Sequence, residues 1–473
     1  MAGTHRAATR FLREITVIAF IIWGGGCLFV VLIYHPRNKH ELHPLKLLCY
    51  WPVEGPEPIL FGRGERVMKR FTVLDGLRGY FLVFMMLNHL LFQGDLLLQK
   101  INHGELGYVQ DAQGFVFLSG IIIGLYYTRM IGQGRTALMD AKILRRAYDL
   151  YVYAVMVLAV VLILAMVVPN SRPLWGQFMW EMYQTPAVTA VSGFLLLYQP
   201  IFMDILPQYI VYLLASPLLL RWVARGYWRE VLGGSILMWL GVQLGWHLPA
   251  LRIFEQTVAE IVPGFVVQSH FNPLAWQVVF VTGLLLGAAD TRGKMDWNGW
   301  FSPERTYLLK ASVVIVALFM FYKLGFSYGF MPDSMALRFD AFNNRTELSF
   351  VYLLNFVGLA YLVTWLLVAG PESAFPAARR AGALLNRLFR WRFLTFLGKH
   401  SLQVYAYHVV VVYVVLGFDA RIGPFSEATK TLIALAAIVS LIVPAWVHAN
   451  WGTWVEGGRL AAQAQAAQGR SRN

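Results

Sequence analysis

Apolar runs long enough to cross a bilayer recur from end to end of this 473-residue chain. They lie at 15–34, 72–93, 111–131, 147–168, 205–222, 231–249, 273–289, 306–325, 348–369, 400–418 and 429–450. A helix needs roughly 20 apolar residues to span the hydrocarbon core, and within that core every backbone N–H and C=O must be paired inside the protein. These demands leave few solutions. They predict an all-α, polytopic membrane bundle of about ten core transmembrane helices, preceded by one N-terminal hydrophobic helix. Composition agrees, with 58% of residues hydrophobic and 14% charged, where soluble proteins carry about a quarter charged.

The formal charge of +14 does not point to nucleic acid, because the basic residues sit in loops between apolar runs, as on the inner face of a membrane protein. One set of core loops holds twenty Lys and Arg, among them Arg129, Arg145, Arg225, Arg292, Arg387 and Arg459. The alternate set holds six: Lys100, Arg172, Arg252, Arg338, Arg345 and Arg421. That bias places both ends of the core of a multi-pass membrane protein in the cytoplasm. The expected organisation is an anchor helix at 1–34 and a Pro-rich interfacial linker at 35–70. A membrane core follows at 71–450, with a polar cytoplasmic tail at 451–473. Thr185–Met203 is apolar, but counting it as a span would put Arg221, Arg225 and Arg229 outside, so it reads as re-entrant or interfacial. Cys27 and Cys49 make no disulfide framework, and no histidine or cysteine spacing suggests a metal site.

Within the first core run, FTVLDGLRGYFLVFMMLNHLLFQ, stand Asp75, Arg78, Asn88 and His89. Polar and ionisable residues at membrane depth are costly and usually face a polar cavity. Arg78 and His89 are eleven residues apart, which at about 100° per residue returns to within roughly 20° of the same face, some 16 Å further along the axis. Such residues can also snorkel to headgroups or bond between helices. Asp111 opens the next helix at the end where His89 closes its own. It is therefore placed to accept a hydrogen bond from His89 and orient it as a general base, or simply to favour a helix N-terminus. Gly114, Ser119, Gly120 and Gly124 read as packing residues rather than chemistry.

Lys142, Arg145 and Arg146, three and four residues apart, offer a basic face that could dock a phosphorylated donor or merely mark the inside. Asp204, Asn272, Trp276 and Gln277 stand at span entrances and suit a mouth for a hydroxylated ligand, with Trp276 either a sugar-stacking face or an interfacial anchor. His408 lies mid-span, as a substrate contact or an interhelical hydrogen bond.

Five ordered stretches then resemble one family: FTVLDGLRGYFLVFMMLNHLLF, DAQGFVFLSGIIIGLYY, DILPQYIVYLL, FNPLAWQVVFVTGLLLG and FLGKHSLQVYAYH. The Arg78–His89 pair is similar to the paired Arg and His of the membrane acyltransferase-3 superfamily, and the five stretches more narrowly resemble OpgC-type proteins. Those are inner-membrane proteins that attach succinyl groups to osmoregulated periplasmic glucans. The resemblance implies O-acyl transfer from a cytoplasmic acyl-CoA, succinyl-CoA in the first instance, to hydroxyls of an exported glucan or polysaccharide. It implies His89 as general base and Arg78 as its partner on the donor side, holding the thioester oxygen or the succinyl carboxylate. Asp75, Asn88 and the basic loop would contact substrate, and the N-terminal extension could recruit a polysaccharide synthesis enzyme. No metal is expected. A saccharide transporter or flippase, or a scaffold subunit, is the alternative. A transporter commonly shows two related halves, and this sequence shows none.

Overall fold

The computed structural model describes residues 64–340 and 342–453. The anchor at 1–34, most of the linker and most of the tail lie outside the described residues. Glu65–Val447 forms one compact unit. Among the described residues there is no strand, only an isolated bridge between Tyr198 and Gln268.

The helices that matter here are α1 (Gly64–His89), α2 (Asp111–Gly132), α3 (Thr136–Val167), α4 (Ile205–Arg225), α5 (Trp228–Gln243) and α6 (Leu248–Ile261). They continue as α7 (Pro273–Thr291), α8 (Thr306–Ser327), α9 (Phe350–Val368), α10 (Pro376–Phe389), α11 (Arg392–Lys399), α12 (Ser401–Ile422) and α13 (Glu427–Ser440). Among the described residues, eight helical stretches are long and apolar enough to cross a membrane: α2, α3, α4, α7, α8, α9, α12 and Glu427–Thr453. The count is nine if α5 and α6 form one bent span. With 26 residues α1 is also long enough, but Asp75, Arg78, Asn88 and His89 dilute its apolarity. Its core side is apolar at helical spacing, with Leu82 and Met86 fully buried.

One expected span comes out differently, and the segment read as re-entrant or interfacial does not cross. The run at 231–249 is broken: α5 ends at Gln243, Gly245 adopts a left-handed φ of +71°, Pro249 sits in the first turn of α6, and the two axes bend by 68°. Glycine there closes the helix at no steric cost, and proline starts the next one where its missing N–H is not needed. Thr185–Met203 makes only the short helix Pro186–Phe194 and then an irregular segment, too short to cross.

Small residues decide how closely the helices approach. A Cβ at Gly120 or Gly124 would come within 2.2 or 2.1 Å of the carbonyl oxygens of Phe280 and Leu284 on α7. In return, a Cβ at Gly283 or Gly287 would meet those of Phe117 and Ile121 on α2 at 2.3 and 2.2 Å. Two small-xxx-small faces thus lock backbone against backbone, the packing expected where lipid supplies no hydrophobic drive between helices. The same device joins α1 to the segment before α12. Gly76 and Gly79 lie against the carbonyls of Phe389 and Leu394, and Gly398 against that of Asp75. This contact brings α12 beside α1.

Candidate active site

Arg78 and His89 share one face of α1. Ser401 and His408, seven residues apart, share one face of α12, since that spacing also returns to within roughly 20°. The two faces meet at two rungs. The Arg78 guanidinium donates to the Ser401 hydroxyl, and His89 Nδ1 lies 3.2 Å from His408 Nε2. Earlier residue pairs with earlier and later with later, so the two helices run parallel. The rungs are about 16 Å apart along α1 and about 10 Å along α12, a difference that the long arginine side chain takes up.

At the first rung the Arg78 guanidinium carbon stands 5.5 Å from the Phe115 ring centroid, within range of a cation–π contact. Its Nε is buried with no hydrogen-bond partner among the described residues. Asp75, Tyr209 and Arg146 act on it electrostatically. At the second rung His408 is fully buried, and its Nδ1 bonds to the Tyr405 carbonyl. The Phe202 ring lies 4.4 Å from that of His89. Phe202 has a positive φ of 78°, a strained conformation for a bulky residue that costs about 1–3 kcal/mol and persists only when its surroundings hold it. Here the Tyr405 hydroxyl donates to the Phe202 carbonyl at 2.8 Å, and the Tyr413 hydroxyl donates to the Ile201 carbonyl at 3.0 Å. The end of the segment read as re-entrant therefore serves to press an aromatic ring onto His89.

Asp111 does not orient His89. Its Oδ2 accepts from the Asn88 amide at 2.5 Å, and its Oδ1 lies 3.7 Å from His103 Nε2. The reason is angular: Asn88 is one residue, or about 100°, from His89 on α1, so the carboxylate that meets Asn88 cannot also reach the imidazole that faces α12. His103, whose other nitrogen is 3.2 Å from the Tyr80 hydroxyl, comes from the loop before α2 and is pushed down to about 4 by burial among Tyr80, Phe81 and Phe84. It stays neutral and is not matched to proton transfer near pH 7.

The expected mouth residues divide. Asp204 is buried beneath the loop, takes the His270 backbone N–H at 2.7 Å, and is pushed up to about 7 by burial, with that hydrogen bond and Arg345 pulling the other way. The Asn272 Oδ1 caps α7 through Leu274 N–H, and its amide lies 3.2 Å from His247 Nε2. Trp276 offers no stacking face: it is 0% exposed, packed on Phe271 with its indole N–H on the Thr346 carbonyl. Gln277 is spent on α5, accepting from the Ser235 hydroxyl and donating to its carbonyl. His408 likewise has both ring nitrogens engaged and is no substrate contact. Burial explains all three, because a buried polar group in a packed bundle must find an internal partner.

The basic residues expected in a loop lie in the early turns of helix α3, where Lys142 and Arg145 are exposed, with Lys142 on the Tyr126 hydroxyl at 3.3 Å. Arg146 is half-buried, and its charge acts on Arg78. Beside the α11–α1 crossing lies a cavity of about 460 Å³ lined by Arg392, Phe393, Thr395, Phe396, Lys399 and Ile442. Lys399 acts electrostatically on Asp75. Sequence reasoning missed Ser401, Phe202, His103 and Arg345, whose guanidinium lies 5.3 Å from the Phe271 ring and whose charge reaches His89 and Asp204. For Ser401 a signal existed, its seven-residue spacing to His408. Among the described residues no group of His, Cys, Asp or Glu is arranged to hold a metal ion.

Residues 70–453 match the family model described as OpgC protein. Among curated proteins and among solved structures, nothing matches the chain.

Proposed function

This chain belongs to the OpgC protein family, and from that premise we propose that it is a membrane O-acyltransferase that moves an acyl group, succinyl in the first instance, from cytoplasmic acyl-CoA to hydroxyls of an exported glucan. The observation that carries the reading is the paired ladder of α1 and α12, which sets an oriented imidazole and a half-buried guanidinium on one interhelical seam. His89 takes the proton of the acceptor hydroxyl as its oxygen attacks the thioester carbonyl. The new C–O bond forms, the C–S bond breaks, and the proton passes from His89 to the departing sulfur. Apart from its place on the same seam, Arg78 stands too far from His89 to share one carbonyl with it, the two being about 16 Å apart along the helix. Its role is therefore to hold the donor's pantetheine arm rather than the thioester oxygen. The cavity lined by Arg392 and Lys399, beside Asp75, suits the donor's phosphates by charge. A bilayer around the seam keeps water from the thioester and strengthens both polar contacts.

Mass spectrometry of glycans from cells carrying the intact protein, lacking it, or carrying His89→Ala tests this reading. Loss of a succinyl mass in both defective strains, with the variant still inserted at wild-type level, is the expected result. General-base removal should lower turnover by about 10²–10⁴-fold. Unchanged acylation with His89→Ala would overturn it.

A further inference from the structure

A carbonyl oxygen has no proton to give, so the bond between His408 Nδ1 and the Tyr405 carbonyl requires the proton on that nitrogen. His408 is fully buried, and among the described residues the polar contacts of its ring are the Tyr405 carbonyl and His89. A second proton would leave a buried cation with no carboxylate against it, which an apolar interior disfavours. The ring is therefore neutral and its Nε2 bare. That bare nitrogen lies 3.2 Å from His89 Nδ1, so His89 must supply the proton of this bond. The consequence runs through the second ring: His89 carries its proton on Nδ1 and its lone pair on Nε2.

We propose that His408 is a positioning residue that fixes the tautomer of His89, leaving Nε2 as the nitrogen that takes the proton of the acceptor hydroxyl. This inference rests on the reading of His89 as general base and assigns the atom that acts. The imidazolium formed during transfer keeps its Nδ1–H bond to His408 Nε2. No proton leaves by that path, so His408 orients and does not relay. A neutral imidazole suits this place better than a carboxylate, since it accepts the bond without bringing a charge into the bundle. Phe202, at 4.4 Å from the His89 ring, restrains the plane that His408 has set.

The test uses the full chain in lipid nanodiscs, with His408→Gln, which keeps a neutral acceptor oxygen near the Nε2 position, and His408→Leu, which fills the space without one. His408→Gln should keep kcat within about 10-fold of the wild type, whereas His408→Leu should lose at least ~100-fold, with KM for donor and acceptor unmoved. Histidine ¹⁵N NMR should show the Nδ1–H tautomer of His89 in the wild type and in His408→Gln, and a mixture in His408→Leu. A wild-type His89 protonated on Nε2, or a His408→Leu protein as active as the wild type, would overturn the proposal. If His408→Leu does not fold, the wild-type spectrum decides alone. An inactive His89→Ala beside a fully active His408→Leu removes this inference and leaves the acyltransferase reading intact, whereas an active His89→Ala removes the reading itself.

Discussion

At the scale of single residues, Arg78 and His89 on α1 find their partners, Ser401 and His408, on α12, and Asn88 finds its own in Asp111 on α2. Cost alone singles out Arg78 and His89, because few side chains of that kind are kept at membrane depth without a use. Their partners depend on which helix lies alongside. Asp111 is near His89 in sequence and in height, yet it faces Asn88 and His103, while the residue that does meet His89 stands 319 positions away on α12. A test follows. In Asp111→Asn the amide oxygen can still accept from Asn88, and the new NH₂ can face His103. We expect kcat to stay within about 10-fold of the wild type, whereas loss of a true orienting carboxylate from a catalytic histidine costs about 10⁴-fold. Steady-state kinetics of that variant beside His408→Leu separates the two histidine partners.

At the scale of elements, the glycines of α2 and α7 were legible as packing residues, and the structure supplies their reciprocal targets. Gly120→Leu would drive a side chain into the Phe280 carbonyl, and Gly79→Leu into that of Leu394. Overpacking of this kind costs typically about 1–3 kcal/mol and sometimes more, and backbone leaves little room to give. Thermal unfolding in detergent should show both variants clearly less stable than the wild type. Gly132→Leu, where a Cβ meets nothing within 4 Å, should unfold with the wild type. For Gly79→Leu, activity should fall further than stability predicts, since the α1–α11 contact sets the height of α12 and hence both rungs. The break between α5 and α6 was hidden for a different reason. Hydropathy averaged over a window is blind to one left-handed glycine, and the run 231–249 stays apolar across the bend.

For the whole molecule, the loop charges predict a single orientation. With Cys27 and Cys49 replaced by serine, cysteine at Glu105, an exposed position in the loop between α1 and α2, should react with a membrane-impermeant maleimide in spheroplasts. Cysteine at Arg145, exposed near the start of α3, should react only after the membrane is opened. The reverse pattern would invert the orientation and place the His89 rung at the cytoplasmic end. That outcome would also require the acceptor to approach from the side now assigned to the donor.

The sequence by itself determined the class of fold, the region that carries the family match, and the helix whose polar residues stand out from its apolar run. Those properties are local: run length, the cost of a charge in lipid, and angular spacing along a helix are set within some twenty residues. Tertiary structure alone decided that His408 and not Asp111 meets His89, that Trp276 is sealed inside the bundle, and that Phe202 is held onto the His89 ring. Each of these is a contact between segments far apart in the chain, and helix spacing says which face a residue occupies without saying what stands opposite it.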